Sequence, residues 1–209
     1  MKRRKPPSPA AKIMGKSIKT KAGALARLAK KTKSAYNRAD YDCGFADWDP
    51  SLWEDDEICD AAIEADPFAI RYVARQTPER CLRAVRANGK VIKFINEQTE
   101  DLCLTALNNH GYIYDIREDC RTPKICMEWV QQGGPLLGVP DSVMIEYPEI
   151  CRKGVQNEWW DIKLVPLAVQ NENPDIFLSA VYSCLDSPMS GLNTVNPEMM
   201  ARLRLSLDE

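Results

Sequence analysis

The sequence predicts an all-α fold: tandem short helical hairpins stacked as an α-solenoid, joined to a basic N-terminal arm that is extended or partly helical. Three observations carry that expectation. A set of residue columns recurs about every 22 residues from Trp53 onward. Each recurrence opens on a helix-start signal, and three of them close on a glycine. The charge, finally, is divided between the two parts of the chain. A period of 20–50 residues is the signature of repeat architectures, so it is weighed before any single motif.

TPERCLRAVRANGKVIKFINEQ (77–98) aligns without a gap to TEDLCLTALNNHGYIYDIREDC (99–120), and DDEICDAAIEADPFAIRYVARQ (55–76) falls in the same frame. TPKICMEWVQQGGPLLGV (122–139) and YPEICRKGVQNEWWDIKLV (147–165) follow after small insertions, then the weaker NPDIFLSAV (173–181) and NPEMMARL (196–203). The reference column holds Cys59, Cys81, Cys103, Cys126, Cys151, Phe177 and Met200, at spacings of 22, 22, 23, 25, 26 and 23. Four residues later stand Ile63, Val85, Leu107, Val130, Val155 and Val181; three later, Ala62, Ala84, Ala106, Trp129, Gly154 and Ala180. One residue earlier stand Ile58, Leu102, Ile125, Ile150, Ile176 and Met199, with Arg80 the exception.

Each column has a physical reason. Thr77, Thr122, Asn173 and Asn196 precede proline, as N-caps that accept an orphaned backbone N–H. Pro78, Pro123, Pro148, Pro174 and Pro197 stand at the first helical position, where the missing donor had no partner. Glu79, Asp101, Glu149, Asp175 and Glu198 favour the positive end of the helix dipole. Apolar residues at offsets −1, 0, +3 and +4 then draw one stripe along a helix of about ten residues. Gly89, Gly111 and Gly134, at +8, are expected to end that helix in the left-handed conformation. A second short helix is expected from apolar residues at +10, +11 and +13: Val91, Ile92 and Phe94; Ile113, Tyr114 and Ile116; Leu136, Leu137 and Val139. Helices this short are marginal alone, so each hairpin must bury its stripe on a neighbour. Later copies decay. Pro140 and Pro166 enter where earlier copies carry Val73 and Ile95, and residues 183–195 read as loop. The expected division is a basic arm over 1–47 and a repeat domain over 48–209, regular to about residue 165 and degenerate or capping over 166–209.

The pattern T-x-E-I-C-L-x-A-V-x-x-N-G-x-x-L-K-Y-V, carried here by TPERCLRAVRANGKVIKFI and its neighbours, resembles an uncharacterised family of short helical repeats. That family is a domain of unknown function found in proteins of bacteria, their phages and giant DNA viruses. The resemblance covers about residues 55–165 and implies an all-helical array from a viral or microbial source. The arm lies outside it.

Residues 1–40 carry thirteen Lys/Arg and one acid, a balance of +12; residues 41–209 have a balance of −14. Such segregation points the basic part at a polyanion. The candidate binding residues are Lys2, Arg3, Arg4, Lys5, Lys12, Lys16, Lys19, Lys21, Arg27, Lys30, Lys31, Lys33 and Arg38. Residues 22–36 read as a candidate basic helix, with Leu25 and Leu28 too few for a strong apolar face. The arm is either a solvated tail or a segment that folds on nucleic acid, on an acidic groove of another protein, or on this chain's own acidic body. No apolar run reaches the ~18 residues of a membrane span, and no apolar stretch follows the first basic residues as in a secretory signal.

Five of the eight cysteines occupy one column of an apolar helix face, which reads as small buried hydrophobes in a reducing compartment rather than disulfides or a metal site. His110, the single histidine, falls in the column of Asn88, where the last turn of a helix tolerates it, and has no second ligand beside it in sequence. Gly15-Lys16-Ser17 is similar to the end of a phosphate-binding loop, yet Ala10 stands at the first glycine position and no strand precedes it. The acids from Asp47 to Glu57 lack the spacing and central glycine of a calcium loop and read as the approach to the first hairpin, with Trp48 and Trp53 covering its open end. Tyr112, Tyr114, Trp159 and Trp160 are either core packing or a partner-contact surface. No catalytic residue, cofactor or metal is expected.

The expected function is therefore a non-enzymatic structural or adaptor protein. It would bind other proteins in a larger assembly through the array and the arm, as a minor capsid-associated component of a large viral particle. Two alternatives stand beside it: a nucleic-acid binder acting through the arm, and a regulatory effector that inhibits a host enzyme by covering its surface. The expected location is a reducing intracellular compartment and the virion.

Overall fold

The computed structural model describes residues 18–29 and 45–186. These residues are mostly helical, with no strand among them and one isolated parallel bridge between Ile18 and Trp48. Among them no helix is long and apolar enough to cross a membrane. The chain divides into two compact units between Gly111 and Tyr112, so the expected repeat domain spans that division.

In the first unit, α1 (Lys21–Leu28) precedes three repeat helices, α2 (Asp56–Ala65), α3 (Pro78–Ala87) and α4 (Glu100–Asn108). Their starts follow the cap logic. Asp55 accepts the N–H groups of Glu57 and Ile58, Thr77 that of Arg80, and Thr99 that of Leu102. The stripe at −1, 0, +3 and +4 is buried in every copy: Ile58, Cys59, Ala62 and Ile63; Arg80, Cys81, Ala84 and Val85; Leu102, Cys103, Ala106 and Leu107. Helix α2 packs on α3, and α3 on α4.

The second half of each hairpin is a 3-10 helix, Pro67–Tyr72 and then Gly89–Phe94. Asp66 and Asn88 are the cause, because each side chain accepts a backbone N–H two residues on, from Phe68 and Lys90. Such Asx bonds tighten the chain at the start of a short turn of helix. The inward residues are consequently Ala69, Ile70 and Val73, then Val91, Ile92 and Ile95; Phe94, expected inside, is half-buried. Consecutive 3-10 helices also touch. Between them Gln76 donates to the Ile70 and Phe94 carbonyls at 3.2 and 2.9 Å and accepts the Asn96 N–H at 3.0 Å. Gln98 donates to the Ile92 carbonyl at 2.9 Å.

The glycine expectation is corrected. Positive φ among the described glycines occurs at Gly133 and Gly138, not at Gly89, Gly111 or Gly134. Gly89 and Gly111 are glycines because two backbone segments meet there: Gly89 N–H donates to Asn109 O and Gly111 N–H to Ala106 O, both at 2.8 Å. The left-handed residue after α4 is His110, with φ 64°, and it is exposed. It sits past the helix end rather than in its last turn. A histidine there carries a Cβ clash that glycine lacks. His110→Gly is therefore expected to raise the unfolding free energy by about 0.5–1 kcal/mol in urea titrations.

In the second unit, α5 (Pro123–Gln131), α7 (Pro148–Asn157) and α9 (Pro174–Asp186) are the repeat helices, with α5 packed on α7 and α7 on α9. Thr122 caps α5; Tyr147, where a cap residue is expected, makes no side-chain cap bond. The insertions are helices themselves, α6 (Asp141–Glu146) and α8 (Leu167–Glu172), and Pro140 and Pro166 are their N-cap residues. Val165 rather than Pro166 stands at the offset of Val73 and Ile95 and is buried; Pro140 does stand at that offset, half-buried, and the buried residue there is Val139, one position earlier. Two further expectations are corrected. Residues 135–139 form a turn rather than a second helix, because Gly133 and Gly138 both take positive φ. Residues 183–186 belong to α9 and not to a loop, because no glycine stands at +8 from Phe177 to stop the helix. Residues 187–195 and the copy at 196–203 lie outside the described residues.

Candidate partner-contact surfaces

The described part of the basic arm meets the chain's own acidic residues. Ile18 is held between Asp47 O, which accepts its N–H at 3.3 Å, and the Asp49 N–H, which donates to its carbonyl at 2.8 Å. Thr20 then caps α1 by accepting the Gly23 N–H. Lys21 Nζ pairs with Asp55 at 2.8 Å and Glu57 at 2.6 Å, and Arg27 pairs with Asp47 at 3.0 Å. Ala24 is fully buried and Leu28 nearly so, against α2. Exposed ion pairs orient more than they stabilise; the buried small face holds the helix, and the charges set its register. Asp55 lies below the ordinary carboxylate range, chiefly through the Lys21 hydrogen bond. Lys19 is exposed. Lys2, Arg3, Arg4, Lys5, Lys12, Lys16, Lys30, Lys31, Lys33 and Arg38 lie outside the described residues. Behind this contact Trp48 stacks on Trp53 and Trp53 on Tyr72, with ring centroids 5.4 and 5.2 Å apart, and Phe45 stands edge-on to all three. Trp48 and Trp53 are buried.

The second unit carries the exposed apolar surface. Tyr114, Leu137, Ile145, Trp160, Leu167, Leu178 and Tyr182 are the large apolar side chains exposed among the described residues, and all stand after Gly111. The offset +11 shows how this arises. In the first unit it holds Ile70 and Ile92, both fully buried; in the second it holds Tyr114 and Leu137, 54% and 61% exposed. The six-residue 3-10 helices turn +10 and +11 inward together. The shorter Ile113–Asp115 helix and the turn at 135–139 instead bury +10 and +13, which are Ile113, Ile116, Leu136 and Val139. The residue between them must then face solvent, yet it is tyrosine and leucine rather than a polar residue.

Neighbouring repeats bring the segments that carry Tyr114, Leu137 and Trp160 together. Gly138, next to Leu137, lies against Ile113 and the Tyr114 backbone. The Leu136 N–H donates to Asp161 Oδ2, which places the turn beside the 3-10 helix Trp159–Leu164 that carries Trp160. Helices α6 and α8, which carry Ile145 and Leu167, touch one another. Of the four aromatics singled out in the sequence, Tyr114 and Trp160 are exposed, while Tyr112 stacks on Tyr114 at 4.9 Å and Trp159 stands edge-on to Trp160 at 5.7 Å, both half-buried. Residues 112–186 hold twelve acids and six Lys/Arg, so these segments belong to an acidic unit.

The reactive residue types serve packing. The five column cysteines are buried, and none of them forms a disulfide. Burial pushes the Cys59 and Cys81 thiols up, Cys126 to about 11 and Cys151 to about 12. Protonated thiols are poor nucleophiles and poor metal ligands. Cys81 also lies in the floor of a groove along α3 and α4, where a nucleophile would be of most use. Among the described residues no three His, Cys, Asp or Glu side chains come together as a metal site would need.

Asp161 breaks the pattern. It occupies offset +10, the apolar column of Ala69, Val91, Ile113 and Leu136, and is 3% exposed. Desolvation raises its pKa, opposed by the Leu136 N–H and by Lys163. A carboxyl whose folded pKa is raised binds more protons in the native state. Stability therefore falls as pH rises from the unfolded value near 4 through the raised folded value. Asp161→Asn keeps an oxygen for the Leu136 N–H and removes the charge. The stability of the unsubstituted chain relative to Asp161→Asn is expected to fall as pH rises across that interval, measured by urea titrations of both chains from pH 3.5 to 7. Comparison with known protein families, with characterised proteins and with solved structures finds no match to this chain.

Proposed function

We propose that this chain is a non-enzymatic structural or adaptor protein, whose hairpins stack as an α-solenoid and present one apolar edge to partner proteins. The observation that carries this reading is the outward +11 position: tyrosine and leucine stand exposed where the local backbone calls for a polar residue. Contiguous exposed apolar surface on a folded unit marks interaction sites, and quasi-one-dimensional repeats commonly bind through one edge. The basic segment supplies a second contact. Its portion at 18–29 engages acids of the chain itself, and the charge before residue 18 and over 30–38 is assigned to partners by this proposal. The context belongs to the same proposal: a minor capsid-associated component of a large viral particle, with a reducing intracellular compartment before assembly.

Cross-linking mass spectrometry on the native source tests this. Cross-links from lysines of the second unit, such as Lys153 and Lys163, to particle proteins are the expected result. A chain that cross-links to no other protein would sink the reading. The segment is best removed at residue 17, because deletion through residue 40 would also strip Ile18, Ala24 and Leu28 from the first unit.

A further inference from the structure

We propose that the apolar edge of the second unit receives a second copy of this chain, engaged through that copy's basic segment 1–17. The inference rests on the adaptor reading above and names one partner for its surface. The edge bears Tyr114, Leu137 and Trp160 from successive repeats, with Ile145 and Leu167 on the touching helices α6 and α8, in a unit with a charge balance of −6. The complementary chemistry is a cationic segment with apolar residues spaced along it. Residues 1–17 have it: six Lys/Arg, no acid, and Pro6, Pro7, Pro9, Ile13 and Met14 between them. Proline-rich segments suit aromatic surfaces because their rings pack on tyrosine and tryptophan and their ordering costs little.

The chain displays the same mode within its first unit. There the adjoining segment places Ala24 and Leu28 on α2 while Lys21 and Arg27 pair with Asp47, Asp55 and Glu57. Small apolar contacts flanked by basic residues, set on an acidic surface, are thus how this sequence already binds itself. The overall charge of −2 conceals balances of +12 and −14, a distribution that is self-complementary between copies and leaves little net repulsion to oppose association. Because the donor segment and the acceptor edge are different surfaces, the contact is heterologous and leaves a free edge on one copy and a free segment on the other. Each added copy restores both, so short open chains follow.

Sedimentation velocity of the purified full chain tests this between about 1 and 200 µM, the span of weak to moderate affinity. At about 50 mM salt the mean mass is expected to rise with concentration, and at about 500 mM the association is expected to weaken at least tenfold. The Tyr114→Ser/Leu137→Ser/Trp160→Ser chain and a chain lacking residues 1–17 should each stay monomeric, with the full chain's helical circular dichroism spectrum. Mixed together, the two should form a one-to-one complex, since one keeps the segment and the other the edge. A full chain that is monomeric throughout, association that survives loss of residues 1–17, or two variants that fail to combine would each overturn the proposal. A monomeric chain that still cross-links to other proteins in its native source would leave the adaptor reading standing while removing this one.

Discussion

Gly89→Ala is expected to abolish cooperative folding of the first unit. A Cβ on Gly89 would lie 2.0 Å from Ala106 O, 2.6 Å from Gly111 N and 2.7 Å from Asn109 O. All three are backbone atoms, so no side-chain rotation relieves the overlap. Relief requires the backbone of residues 106–111 to move away, and with it the Gly89–Asn109 hydrogen bond. Overpacking against rigid neighbours sits at the severe end of single substitutions, here above about 4 kcal/mol. Gly133→Ala supplies the contrast. Gly133 has φ +88° but nothing within 4 Å of an added Cβ, so its cost is conformational alone, about 1 kcal/mol. Urea titrations of the two variants separate steric from conformational need. A Gly89→Ala chain within about 1 kcal/mol of the unsubstituted protein would show that the two segments are not in contact.

The same glycines show what the sequence could and could not disclose. The helices α2 to α5, α7 and α9 were legible because caps, first-turn prolines and a 3.6-residue stripe act within one segment. The glycines at +8 carry the mark of a helix stop, and one-segment logic assigns them a left-handed turn. The structure instead sets Gly89 and Gly111 against each other's backbone and that of Ala106, and Gly134 against the Trp129 ring, contacts that a helix-stop reading does not record. The second halves were legible as short helices but not in their type: six apolar-rich residues fit an α-turn and a 3-10 turn alike, and the choice was made by Asp66 and Asn88, whose capping role lies in short Asx bonds. Gln76 and Gln98 were missed although they recur at +17, a polar column that only a buried ladder of carbonyls makes intelligible. Asp161 was likewise visible as a carboxylate in an apolar column. Of the surface, Tyr114 and Trp160 were found as aromatics, but Leu137, Ile145 and Leu167 were not, because a leucine signals an interface only once its exposure is known.

Arg80→Ala is expected to cost about 2–3 kcal/mol at neutral pH, and most of that cost is expected to be recovered in Arg80→Leu. Arg80 stands in the column that holds Ile58, Leu102, Ile125 and Ile150, and its side chain is almost wholly buried. Its guanidinium reaches the rim of the first unit, pairing with Asp56 at 2.8 Å and Asp60 at 3.0 Å and donating to the carbonyls of Arg75 and Asp56. Both carboxylates are substantially exposed, at 65% and 43%, so water re-solvates them when the arginine is lost. What alanine forfeits is therefore mainly the packed stem and the bonds to two carbonyls, at about 1 kcal/mol for each hydrogen bond. Leucine refills the stripe without burying an unpaired charge, and replacing ion pairs by apolar packing is often neutral.

The pH dependence separates the two contributions. Asp60 is held below its ordinary value, first by the Arg80 hydrogen bond. A depressed carboxylate contributes stability that is present above its unfolded pKa and is lost as pH falls through the folded one. The gap between the unsubstituted chain and Arg80→Leu should therefore close below about pH 4, whereas the gap to Arg80→Ala should narrow but persist, because the cavity does not titrate. Urea titrations at pH 7 and near pH 3 give both differences. If both gaps close fully in acid, the arginine stabilises the unit by charge alone; if neither changes, its ion pairs contribute nothing and only the stem matters.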